Sequence, residues 1–67
     1  MINFSGRELE IIKFIIKGYS KKNIADELNI SFHTVKAIIE KIYLKTDTHN
    51  KVQLIIFLLK NNFVFND

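Results

Sequence analysis

The chain has 67 residues and no cysteine, so it is one domain (1–67) near the lower size limit for independent folding, with disulfides and thiolate metal sites excluded. Ten Lys or Arg against seven Asp or Glu leave a net charge of +3, a balance that suits an anionic partner without establishing one. A hydrophobic content of 48% excludes a disordered tail, and no run approaches the ~20 apolar residues of a membrane span.

Ser5-Gly6-Arg7-Glu8 has the Ser-x-x-Glu form of a capping box, with Phe4 placed before it as a staple partner for Leu9. Apolar residues follow at helical spacing, and Gly18 is placed to end the element in a left-handed conformation. A first helix is expected over 6–17. Ser20 caps a second helix over 21–28, with Asn23 standing in for the usual Glu or Gln of the box. Asn29 tolerates the left-handed region better than any residue except glycine and suits a sharp turn. Ser31 caps a third helix over 32–45, with Val35, Ile38, Ile39 and Ile42 facing inward and Lys45, Thr46 and Asp47 as its fraying end. Thr48, His49 and Asn50 break the pattern, and Asn50 caps a fourth helix over 51–60 that stops at Asn61-Asn62. No segment reads as a strand. The expected fold class is all-α.

The second and third helices carry the functional signal. Two helices crossing steeply at a short turn need a small residue at the crossing, a permissive residue in the turn and apolar residues at fixed offsets. Ala25 is the small residue and Asn29 the permissive one, while Ile24, Leu28, Ile30, Val35 and Ile38 occupy the offsets. This is a helix-turn-helix, and its second helix is expected to lie in the major groove of double-stranded DNA. The outward face is then His33, Lys36, Ala37, Glu40, Lys41 and Leu44. Lys36 can donate to guanine or phosphate, Ala37 can touch a thymine methyl, and Glu40 can accept from a cytosine amino group. Lys22, Ser31 and Thr34 stand at helix N-termini suited to phosphate, and Lys45 and Lys51 are further phosphate candidates.

Charge is distributed to match. Residues 17–22 hold Lys17, Lys21 and Lys22 with no acid, and residues 31–51 hold four lysines against Glu40 and Asp47. His33 and His49, the only histidines, have no carboxylate at a ligand spacing, so neither a metal nor another cofactor is expected. With no Ser-His-Asp order, glycine-rich phosphate loop or paired-carboxylate cleft, no enzyme is expected either.

The fourth helix is apolar on nearly all sides, whereas a domain of this size covers one side of it. Val52, Ile56 and Leu59 share a stripe at i, i+4 and i+7 and are the expected seam of a homodimer. The alternative is that Phe63 and Phe65 fold back over them.

The motifs Phe4-Ser5-Gly6-Arg7-Glu8, Gly18-Tyr19-Ser20, Lys22, Ile24-Ala25, Leu28, Ile30-Ser31, Thr34-Val35-Lys36, Ile42-Tyr43 and Lys45 resemble the LuxR-type (GerE-like) helix-turn-helix. The resemblance runs without a gap from Phe4 to about Leu59. It implies a four-helix domain whose third helix reads DNA and whose fourth forms a homodimer. It further implies base-edge contacts from Lys36, Ala37 and Glu40, and backbone contacts from Lys22, Thr34 and Lys45. Such domains usually form the C-terminal part of a response regulator or ligand-sensing activator, so an excised domain is expected. With neither a membrane span nor the basic start and apolar run of a signal peptide at Met1 to Phe4, a cytoplasmic protein is the default expectation. Asn23, Ile38, Glu40 and Thr46-Asp47 depart from the family pattern, which implies a weaker second cap and a different turn between the third and fourth helices. Two rival readings are a sigma-factor region-4-like fragment, which would also bind RNA polymerase, and a helical protein-interaction module using the fourth helix.

Overall fold

The structure, a computed structural model, describes residues 2–63. Its element order is α1 (Gly6–Ile16), α2 (Lys21–Leu28), α3 (Phe32–Thr46) and α4 (Lys51–Lys60), and no strand occurs among the described residues. The all-α expectation holds, with the first helix one residue shorter and the third one residue longer than the sequence spacing predicts.

Each helix begins where a side chain satisfies backbone N–H groups that have no intrahelical acceptor. Ser5 Oγ accepts from the Glu8 N–H at 3.1 Å, and Glu8 Oε1 accepts from the Ser5 N–H at 2.7 Å, completing the capping box. At α2 the same exchange is made by Asn23, whose Oδ1 lies 3.4 Å from the Ser20 N–H and 2.8 Å from the Ser20 hydroxyl that donates to it. The longer, uncharged return bond is the weaker cap that Asn23 implies. Ser31 accepts from the Thr34 N–H at 3.0 Å, and Asn50 from the Gln53 N–H at 2.9 Å.

The core is aliphatic. Ile11, Ile12 and Ile15 of α1 meet Ile24 and Ala25 of α2, Val35, Ile39 and Ile42 of α3, and Leu54 and Leu58 of α4. The third helix is the hub, in contact with each of the other three. Ala25 is buried in the core that α2 and α3 share, while Leu28, Ile30 and Ile38 are half-buried against it. Asn29 adopts φ 56° between α2 and α3, so the small and permissive positions of the helix-turn-helix have their expected conformations.

The end of α3 corrects the sequence reading. It does not fray. Thr46 is buried, and its hydroxyl donates to the Ile42 carbonyl at 2.9 Å and pairs with the Thr48 hydroxyl at 2.8 Å. Asp47 then takes a left-handed φ of 53° and stops the helix sharply. The two buried threonines satisfy each other's hydroxyls, which a run of polar residues does not disclose.

Candidate nucleic-acid interface

The site rests on the helical period of α3. Val35, Ile39 and Ile42 are buried, which directs His33, Lys36, Ala37, Glu40, Lys41 and Leu44 to the opposite side, where all six are exposed. Ser31 and Thr34 are exposed at the start of the same helix, and their hydroxyls lie 2.8 Å apart. The N-terminal half of α3 therefore offers a charged and polar ridge standing clear of the core.

Beside that ridge lies a concavity of about 600 Å³. Lys21 and Lys22 line it from the start of α2, Asn50 and Lys51 from the start of α4, and Phe32, Ile39 and Tyr43 from α3. Two helix N-termini thus open onto one hollow edged by three exposed lysines. An ammonium beside unpaired backbone N–H groups at the positive end of a helix dipole is an arrangement that favours phosphate. Burial pushes the Tyr43 phenol above its ordinary value of 10.0.

Lys45 stands apart from the other expected contacts. Its ammonium donates to Glu8 Oε1 at 2.7 Å and to the Asn3 carbonyl at 3.1 Å. Glu8 is buried, and its Oε1 also receives the Ser5 N–H. Burial alone would raise the Glu8 carboxyl. The hydrogen bond and charge of Lys45, together with the Ser5 N–H, outweigh it and hold the group below the ordinary value of 4.5. Sequence reading placed Glu8 only in a capping box, because a partner 37 residues away leaves no local pattern.

On α4, Leu54 and Leu58 face the core, whereas Val52, Ile56 and Leu59 are 66%, 46% and 72% exposed. Phe63 does fold back, packing its ring on Phe4 at 5.5 Å and Phe57 at 6.3 Å, but the stripe remains open. The Phe65 part of that expectation lies outside the described residues. Among the described residues no group of His, Asp or Glu is arranged to hold a metal ion, and no helix is long and apolar enough to cross a membrane.

A four-helix domain whose second and third helices form a helix-turn-helix, with an exposed polar ridge beside a lysine-edged hollow, defines a class of small regulatory domains. The family described as bacterial regulatory proteins, luxR family, matches residues 3–58, and the chain belongs to it. It is 35% identical over 63 residues to the probable transcriptional regulator ycf29 of Cyanophora paradoxa, covering 94% of this chain and 30% of that protein. It is 42% identical over 60 residues to the oxygen regulatory protein NreC of Staphylococcus haemolyticus, covering 90% and 28%. It is also 34% identical over 58 residues to the response regulator protein VraR of Staphylococcus aureus, covering 87% and 28%. The chain thus spans less than a third of the length of these relatives.

Proposed function

We propose that the chain binds specific double-stranded DNA sequences as the DNA-reading domain of a transcription regulator, with α3 in the major groove. The carrying observation is the exposed His33–Lys36–Ala37–Glu40–Lys41 ridge on a helix whose opposite side is wholly committed to the core. A rigid helix with a free polar face, flanked by lysines at neighbouring helix starts, matches a duplex groove and its bordering phosphates. The relatives named as regulators support the same reading.

Within it, Lys36, Ala37 and Glu40 read base edges, with His33 and Lys41 beside them. Lys22 and the starts of α2 and α3 at Ser31 and Thr34 hold phosphate. Lys45 is the weakest member of the contact set, because reaching a phosphate would leave Glu8 buried and unpaired. Homodimerisation through Val52, Ile56 and Leu59 would present two α3 helices to an inverted repeat. Signal-controlled regulation within the cytoplasm is part of the same proposal, and the relatives named as an oxygen regulatory protein and a response regulator support its signal control.

The test is fluorescence anisotropy on random duplex DNA at two salt concentrations, followed by selection of a preferred site. Binding that weakens steeply with salt is expected, because neutralised phosphates release counterions. Affinity indifferent to salt, or no binding by a folded chain, would overturn the reading in favour of a protein-interaction module. On the selected site, Lys36→Ala should lose about 1–3 kcal/mol and relax selectivity at one base position. An equal loss on random DNA would reassign Lys36 to phosphate.

A further inference from the structure

Phe32 opens α3 between the capping Ser31 and His33, and it is 46% exposed. It belongs neither to the buried core nor to the half-buried residues packed against it. Among the described residues its ring neighbour is His33, edge-on at 6.0 Å. A phenylalanine left this open forgoes much of the stabilisation that burial of its ring would bring. Its surroundings indicate what would cover it. Phe32 lines the concavity edged by Lys21, Lys22 and Lys51. A second copy of the same basic hollow would be repelled there, whereas a polyanion would be attracted.

We infer that Phe32 packs on a deoxyribose of the DNA strand whose phosphates meet the lysines at the starts of α2 and α4. This rests on the DNA-binding reading above. A DNA strand alternates anionic phosphates with apolar sugar faces, and the hollow sets Lys21, Lys22 and Lys51 around one concavity with the Phe32 ring. The competing apolar target on DNA is a thymine methyl in the groove. Placement on the molecule favours the sugar. From α3 the hollow is lined by Phe32, Ile39 and Tyr43, and none of His33, Lys36, Ala37 or Glu40 takes part. Phe32 therefore sits at the border of the base-reading ridge, on the side of α3 toward the other two helix starts. It is a positioning contact that adds affinity on any sequence.

The chain contains no tryptophan, so Phe32→Trp places a single selectively excited reporter at the site. Titration with random-sequence duplex, with binding followed in parallel by anisotropy, should shift the emission to the blue and protect it from acrylamide. Phe32→Ala should bind random and selected duplexes about fivefold more weakly. Its salt slope should be unchanged, because no phosphate contact is lost. Replacing thymine by uracil in the duplex should not alter that loss. Bound complexes in which the tryptophan emission and quenching do not change overturn the inference, and so does a loss that disappears in uracil duplexes. Should Phe32→Ala melt, the tryptophan readout decides alone. A wild-type chain that binds no duplex fails the DNA-binding reading itself, whereas wild-type binding matched by a folded Phe32→Ala fails the Phe32 contact alone.

Discussion

At Glu8 a single carboxylate serves a local and a long-range task. Its Oε1 takes both the Ser5 N–H of the α1 cap and the Lys45 ammonium of α3, while Oε2 is buried without a hydrogen-bond partner among the described residues. One oxygen thereby fixes the start of α1 to the end of α3. Breaking such a pair from the lysine side leaves a buried charge uncompensated, which costs more than the intact pair contributes. Lys45→Met should therefore destabilise the fold by about 2 kcal/mol, below the fully buried limit because a third of the Lys45 side chain is exposed.

The pH dependence has a definite sign. The folded Glu8 carboxyl lies below its ordinary 4.5, so its contribution is complete above that value and is lost as pH falls through the folded one. Glu8→Gln keeps an acceptor for the Ser5 N–H but removes the charge. Thermal melts between neutral and acid pH should show wild type more stable than Glu8→Gln at neutrality, with the two curves converging in acid. Parallel curves would mean that Glu8 acts only as a cap. The cap was legible because Ser5 and Glu8 are three residues apart, whereas the ion pair depends on how α1 lies against α3.

All four helices end with one device. An N–H reaches back to the carbonyl five residues earlier at 3.0 Å: Tyr19 to Phe14, Ile30 to Ala25, Thr48 to Tyr43, and Phe63 to Leu58. The residue before each donor is left-handed, with Gly18 at φ 90°, Asn29 at 56°, Asp47 at 53° and Asn62 at 57°. Gly18 and Asn29 announce this role, since glycine and asparagine are the residues that enter the left-handed region most readily. Asp47 does not, because aspartate is equally at home in turns and at helix starts, and the lysine and threonine before it resemble a loosening end. The buried Thr46–Thr48 pair that makes the stop sharp becomes visible only in three dimensions.

Asp47 is also the costliest of the four stops. A Cβ is strained at positive φ, and a negative charge faces the negative end of the α3 dipole. Asp47→Gly removes both penalties and returns part of the gain as greater freedom of the unfolded chain. A net stabilisation of about 0.5–1 kcal/mol is expected, which raises Tm by roughly 4 °C in a domain of this size. Calorimetry measures it directly. A lowered Tm would mean that the aspartate carboxylate contributes something to the turn that outweighs the strain.

On the scale of the whole molecule, the core takes up one side of each helix and, among the described residues, leaves open the α3 ridge with its basic hollow and the α4 stripe. The stripe was legible from a composition argument: a helix apolar on nearly every side cannot be covered by a domain this small. Which residues stay open is decided by Leu54 and Leu58 turning to the core and by Phe63 packing on Phe4 and Phe57. The ridge was legible from the helical period. Phe32 was not, because one apolar residue between a cap and a histidine carries no periodic signal.

Homodimerisation through the stripe makes a sharp prediction at Ile56, which is half-exposed in the single chain. In Ile56→Glu the new carboxylate reaches water, so the monomer should fold with a melting temperature close to wild type. In a two-fold seam the same carboxylate would be desolvated opposite its symmetry mate, which opposes association. Sedimentation equilibrium should then give the monomer mass for the variant at concentrations where wild type is dimeric. Binding to an inverted repeat should weaken by at least tenfold, while binding to an isolated half-site should be unchanged, because α3 is untouched and only the linkage between two copies is lost. If both sites weaken together, α4 acts by supporting α3 within one chain. If the masses of wild type and variant agree, the stripe is not the seam.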